Sequence, residues 1–170
     1  HDAHQRDVPE TPIWGAGMTH THHLSAAYVR DQFAQLGYTP IVEHSDDDGL
    51  DVDNVFAELR GSARAQEQVL ITAHHDAWWQ SGADDNGTGI AIVLEAARVL
   101  RDSHPNRTIR FVAFDREEEG LIGANRYVAA HPQDNVAMIV NMDCVGYASD
   151  APNSQRAPLG LGLRSVGDLL

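Results

Sequence analysis

The 170-residue chain contains no lysine: its twelve basic residues are all arginines, set against 25 acidic residues, and its formal charge is −13. Phosphate-rich partners are held by clustered basic side chains, so nucleic acid and anionic membrane surfaces are excluded as main partners. The acidic excess suits solubility and the binding of hard or borderline cations. Cysteine is nearly absent as well. Cys144 is the single thiol, which excludes an intrachain disulfide and a thiolate zinc cage. No apolar run reaches the length of a bilayer, so no membrane-spanning segment is expected. His1 is not preceded by a methionine, and the chain is expected to be processed or trimmed. What remains is the composition of one globular domain, 42% hydrophobic and 22% charged, long enough to bury a core.

The stretch Val69-Leu-Ile-Thr-Ala-His-His-Asp76 organises the rest: an apolar, β-prone run passes straight into histidine and acid, and then into Gly82-Ala-Asp-Asp-Asn-Gly-Thr-Gly89. Open α/β sheets place ligands just past the carboxyl ends of buried strands. Residues 1–18 read as an irregular lead-in rich in proline, glycine and charge. A helix is expected from Thr19, with Leu24, Ala27 or Tyr28, Val29, Phe33 and Leu36 as its apolar face and Gly37 as the left-handed residue that ends it. Tyr38 to Glu43 and Asp53 to Leu59 read as strands joined by an acidic loop, and Gly61 to Gln66 as a polar turn. A second helix is capped by Asn86 or Thr88 and carries Ile90, Val93, Leu94, Ala97 and Leu100 on one stripe. Thr108 to Phe114 and Val136 to Met142 read as further buried strands, with a short helix over Gly123 to Ala130 between them. Alternating strands and helices without an internal repeat predict an α/β fold, a three-layer αβα sandwich on a mostly parallel mixed sheet.

Three strands thus end in three polar clusters: His74 with Asp76 and Asp85, Glu117 with Glu118, and Asp143. Acids after a strand commonly cap helices or solvate loops, so one such cluster carries little weight. Three on the same sheet edge point to a metal site. Imidazole mixed with carboxylates suits zinc, whereas calcium and magnesium prefer all-oxygen shells. Adjacent glutamates allow one carboxylate to bind metal while the other takes a proton from an activated water, which is the chemistry of hydrolysis.

The succession His74-His-Asp76, Gly82-Ala-Asp-Asp-Asn-Gly-Thr-Gly89, Phe111-Val-Ala-Phe-Asp-Arg-Glu-Glu-Glu-Gly-Leu121 and Asn141-Met-Asp143 resembles family twenty-eight of the metallopeptidases over about residues 19 to 147. That family holds co-catalytic zinc aminopeptidases, glutamate carboxypeptidase relatives and, more distantly, glutaminyl cyclases. The resemblance implies two zinc ions, with His74 and Asp143 on one, Asp85 bridging, and Glu118 on the other. It implies Glu117 as general base and Asp76 as the carboxylate that orients His74. The implied substrate is a peptide with a free N-terminus, and the implied location is secreted or periplasmic. In the family a last histidine completes the second zinc site well beyond the position of Asp143, but no histidine follows His131 here. Residues 19–170 are therefore expected to be the N-terminal portion of a zinc peptidase catalytic domain. Two other readings stand beside the aminopeptidase: a single-zinc, glutaminyl-cyclase-like aminoacyltransferase, and a receptor-like homologue without catalysis.

Other features read more blandly. His20, His22 and His23 are expected to form a solvated helix end, because no acids accompany them at helical spacing. Asp46 to Asp53 fails as a calcium loop: Gly49 fits the pattern, but His44 and Val55 fall where acidic ligands are required. Trp78 and Trp79 either line a cleft mouth or pack beneath the loop. Cys144, with no nucleophile elbow or histidine arrangement around it, is expected to be a small buried residue. Asn106-Arg-Thr108 matches a glycosylation acceptor, which carries weight only in a secreted eukaryotic chain.

Overall fold

The computed structural model describes residues 22–47, 49–78 and 81–147. The expected lead-in, His20, Asp48, Trp79 and everything from 148 onward lie outside these residues. The described elements are α1 (His22–Gln35), β1 (Ile41–Asp47), β2 (Leu50–Leu59), β3 (Arg64–His74), α2 (Gly87–Leu100), β4 (Arg107–Phe114), α3 (Ile122–Ala130) and β5 (Asn135–Asn141). The sheet order is β1-β2-β4-β3-β5. β3 runs parallel to both β4 and β5, while β2 is antiparallel to β4 and to β1. The sheet is therefore mixed, as the alternation of elements predicted.

Each face of the sheet carries its own core. On one side α1 and α2 bring Ala26, Val29, Phe33, Ile90, Val93 and Ala97 onto Val55, Ala57, Ala73, Phe111 and Ala113. On the other, Tyr127 of α3 packs with Phe56, Leu70 and Val112. Phe33 and Phe111 are fully buried, and burying each contributes on the order of 2–3 kcal/mol. α1 ends as its glycine predicts. Gly37 has φ +89, and the Gly37 and Tyr38 amides donate back to the Ala34 and Phe33 carbonyls at 2.9 and 3.1 Å, a Schellman closure. The Tyr38 hydroxyl then donates to Ala97 O at 2.8 Å, tying α1 to α2.

Four local expectations need correction. The buried face of α1 is His22, Ala26, Val29 and Phe33, whereas Leu24 and Tyr28 are 51% and 57% exposed; the apolar stripe is rotated because His22 has a buried partner across the chain. The acidic stretch is a β-hairpin, with Asp47 opposite Leu50 and Gly49 at φ +75. It is stable as a strand because β1 is an edge strand whose Asp46 and Asp47 point into water. The backbone carbonyls of Ser45, Asp47 and Leu50 accept hydrogen bonds from Arg126 at 3.1, 2.7 and 2.8 Å, so a guanidinium occupies the acceptors that a calcium loop would use. β3 begins at Arg64, inside the expected polar turn. Finally, all seven residues of β5 are exposed, because among the described residues it is an edge strand that pairs only with β3.

Candidate metal centre

Register brings the polar clusters together. His74 is the Cα partner of Phe114, and Thr72 that of Asn141. The residues that follow β3, β4 and β5 therefore emerge side by side at one edge. Asp85 arrives by another route, on the turn before α2. Gly82 has φ +65 and the Asp85–Asn86 peptide is cis; the Gly87 amide closes the turn on Gly82 O at 2.7 Å. Asn86, rather than Thr88, caps α2. Its side-chain oxygen accepts from Gly89 N at 3.0 Å, while its amide donates to Met142 O at 2.8 Å, stapling the turn to the end of β5.

His74 is the centre of the cluster and is only 4% exposed. Its Nδ1–H points to the Asp76 carbonyl at 3.1 Å and to Asp76 Oδ1 at 3.3 Å. Nε2 is left facing the carboxylates: it is buried and, among the described residues, makes no hydrogen bond. Around it stand Asp85 Oδ1 at 3.2 Å, Asp143 Oδ1 at 3.7 Å and Glu117 Oε2 at 3.9 Å. His74, Asp85 and Asp143 each offer a donor atom within 4.8 Å of the others'. An imidazole nitrogen without a partner, ringed by carboxylate oxygens, is a donor set that fits zinc. Burial opposes a charge on His74, but the Asp76 hydrogen bond and the charges of Asp76, Glu117 and Asp143 outweigh it and lift the pKa to about 9.

Glu118 is not one of those three, yet it faces the same space. Its Oε1 is buried without a hydrogen-bond partner among the described residues, and burial, followed by the charge of Asp85, raises its pKa above the ordinary glutamate value. Burial likewise raises Glu117; His74 counteracts this, and Asp143, Asp76 and Asp85 add to it. Asp76 does more than orient the histidine. Its two oxygens accept the Glu117 and Glu118 amides at 3.0 and 3.2 Å, so one buried carboxylate positions both the imidazole and the paired glutamates. The third glutamate is removed from the site, since Glu119 is bound by the buried guanidinium of Arg116.

Cys144 is exposed, not buried as expected. Loss of hydration around the sulfur and the adjacent Asp143 carboxylate push its thiol up to about 12, so it is no nucleophile at neutral pH. His22 and His23 do not form a solvated helix end. His22 is 2% exposed and lies 2.6 Å from Asp115 Oδ2, and His23 is bound to Asp53. The acids come from strands, out of reach of a test based on helical spacing. His75, unassigned from sequence, turns away from His74, donating through Nε2 to Asp53 O at 3.0 Å with Nδ1 2.8 Å from Ser25 Oγ. A cleft of about 490 Å³ touches Asp76 and Asn86 behind this segment, but His74, Asp85, Glu117 and Asp143 do not line it.

A family model described as peptidase family M28 matches residues 54–163. The chain belongs to that family. Aminopeptidase YwaD of Bacillus subtilis (strain 168) is 48% identical over 61 residues, covering 35% of this chain and 13% of that protein. Carboxypeptidase Q of Xenopus laevis is 29% identical over 152 residues, covering 82% of this chain and 30% of that one. Among solved structures, BSAP, a zinc aminopeptidase from Bacillus subtilis, matches with a TM-score of 0.55 at 33% identity, over 58% of this chain and 26% of that chain. The chain therefore spans less than a third of the length of these M28 relatives. BSAP is a zinc aminopeptidase, and the imidazole–carboxylate donor set of this chain suits the same metal.

Proposed function

We propose that the protein to which this chain belongs is a zinc-dependent exopeptidase, acting as an aminopeptidase with two zinc ions in its complete site. The observation that carries the reading is the buried Nε2 of His74, without a hydrogen-bond partner among the described residues and ringed by the oxygens of Asp85, Asp143 and Glu117. In this reading His74, Asp85 and Asp143 would hold zinc, and Glu118, whose Oε1 is buried without a hydrogen-bond partner among the described residues, would serve a second ion together with Asp85. When bound, zinc polarises the scissile carbonyl and lowers the pKa of a water towards about 7.

The chain's own residues supply the proton chemistry. Glu117 stands about one-third exposed, open to substrate, and its raised pKa makes it a stronger base than an ordinary glutamate. It takes a proton at a carboxylate oxygen and returns it to the leaving amine. Asp76 keeps that oxygen in place by anchoring the Glu117 amide, and keeps the proton of His74 on Nδ1 so that Nε2 presents its lone pair. The carboxylate-rich rim around Asp85 and Asp143 also suits the ammonium of a peptide N-terminus.

Glu117→Gln in the protein carrying the complete site tests this. Zinc content is expected to persist while hydrolysis of an aminoacyl anilide falls by roughly 10²- to 10⁴-fold, the usual contribution of a positioned acid–base group. Unchanged turnover removes Glu117 from the role. Cleavage of N-acetylated peptides from their carboxyl end would replace the aminopeptidase with a carboxypeptidase, and cyclisation of an N-terminal glutamine by a protein holding one zinc would replace hydrolysis with aminoacyl transfer.

A further inference from the structure

A second group of metal-competent side chains lies beside the first and plays no part in it. β2 runs antiparallel to β4, with Val55 opposite Ala113, so the beginning of β2 reaches the edge where the parallel strands end. Asp53 there meets the first turn of α1. One ring nitrogen of His22, one of His23 and a carboxylate oxygen of Asp53 lie within 4.8 Å of one another. His44, on β1, also turns Nδ1 to Asp53 Oδ1 at 2.8 Å.

The state of His22 is the telling observation. Its Nδ1 lies 2.6 Å from Asp115 Oδ2, a carboxylate that is itself fully buried and also accepts the Asp53 amide at 2.9 Å. A carboxylate on Nδ1 fixes the tautomer and leaves the lone pair on Nε2, as in carboxylate–histidine–zinc triads. That Nε2 is buried and, among the described residues, has no hydrogen-bond partner. A buried polar nitrogen left unpaired is costly, and a coordinated cation removes the cost.

We infer that His22, His23 and Asp53 form a second metal site, separate from the His74 cluster, which takes a divalent transition ion of the zinc class and pins the start of α1 to β2. Two imidazoles and a carboxylate suit zinc better than calcium or magnesium, and three protein ligands leave a fourth position for solvent. The ion takes the place of the hydrogen bond between His23 and Asp53. His75, which donates to the Asp53 carbonyl from its place between His74 and Asp76, forms the wall between the two sites.

The test uses the full chain with the first cluster disabled by Asp85→Asn and Asp143→Asn. Zinc is titrated in by calorimetry, and cobalt(II) is added separately for its visible spectrum. One ion per chain is expected to bind, with a cobalt spectrum typical of four-coordinate nitrogen and oxygen ligation. Adding His23→Ala is expected to weaken zinc binding at least about tenfold, with circular dichroism unchanged because this side chain is 39% exposed. Asp115→Asn, whose carboxylate binds the imidazole of His22 and the Asp53 and Arg116 amides, is expected to cost about 10- to 100-fold in affinity. Absence of bound zinc at micromolar concentrations in the disabled chain, or zinc binding that His23→Ala leaves unchanged, overturns the site and leaves a hydrogen-bonded histidine–carboxylate cluster only.

Discussion

In metal-free protein, His74 should make stability fall as pH rises through a window in which few other groups titrate. Its pKa is lifted from 6.5 to about 9 in the folded chain. A group whose folded pKa exceeds its unfolded value stabilises the fold fully below the unfolded pKa, so the His74 contribution is complete below pH 6.5 and is lost as pH rises to about 9. At about 1.4 kcal/mol per pH unit the interval corresponds to about 3 kcal/mol. Two of the charges that produce it, on Asp143 and Glu117, are 50% and 32% exposed and so are screened by solvent, which brings the expected loss nearer to about 2 kcal/mol. The assay is urea unfolding in the presence of a chelator at pH 6, 7.5 and 9.5, for the native chain and for His74→Ala, with the pH dependence of the difference taken as the His74 term. Zinc binds the neutral imidazole and must displace this proton, so saturating zinc should flatten the native profile and release about one proton per ion bound below pH 9. A native-minus-variant difference that is constant from pH 6 to 9.5 refutes the electrostatic account of the cluster.

Gly123→Ala should destabilise the chain by about 1–3 kcal/mol in thermal or urea unfolding, because its new Cβ would run into Asp115 O, with the Asn54 side-chain oxygen at 2.5 Å; an unchanged midpoint would mean that α3 does not start against the end of β4 as described. Asn86→Ala should cost about 2–3 kcal/mol, since it removes the cap on Gly89 N and orphans the buried Met142 carbonyl. The same variant should show faster amide exchange at Gly89, measured by NMR, and protection equal to that of the native chain would dismiss the cap.

The convergence of the candidate ligands was readable because most of them stand at a strand end or within a few residues of one. His74, Glu117 with Glu118, and Asp143 need only parallel pairing to converge, and the apolar runs before them already imply a sheet. Asp85 was readable from the glycines that bracket its turn. Asp76 was assigned one task and has two, because backbone amides that lie 41 and 42 residues away in sequence cannot be foreseen as its donors. The apolar face of α1 was misread at Leu24 and Tyr28, since a helical stripe gives a direction only when its partner surface is known. The His22–His23–Asp53 group was misread, its histidines taken as a solvated helix end. It depends on an antiparallel strand that delivers its beginning, not its end, to the functional edge, and that orientation is a property of the sheet order.

By itself, the sequence determined which donor atoms exist, that they are imidazole and carboxylate and not thiolate, and at which strand ends they stand. These follow from residue chemistry and from short-range periodicity, which are local. Only the tertiary structure decided that His75 turns away from His74, that Arg116 withdraws Glu119 from the cluster, and that β5 is an exposed edge. Each of these depends on which distant groups share a low-dielectric neighbourhood, where a charge must find a partner or move its proton.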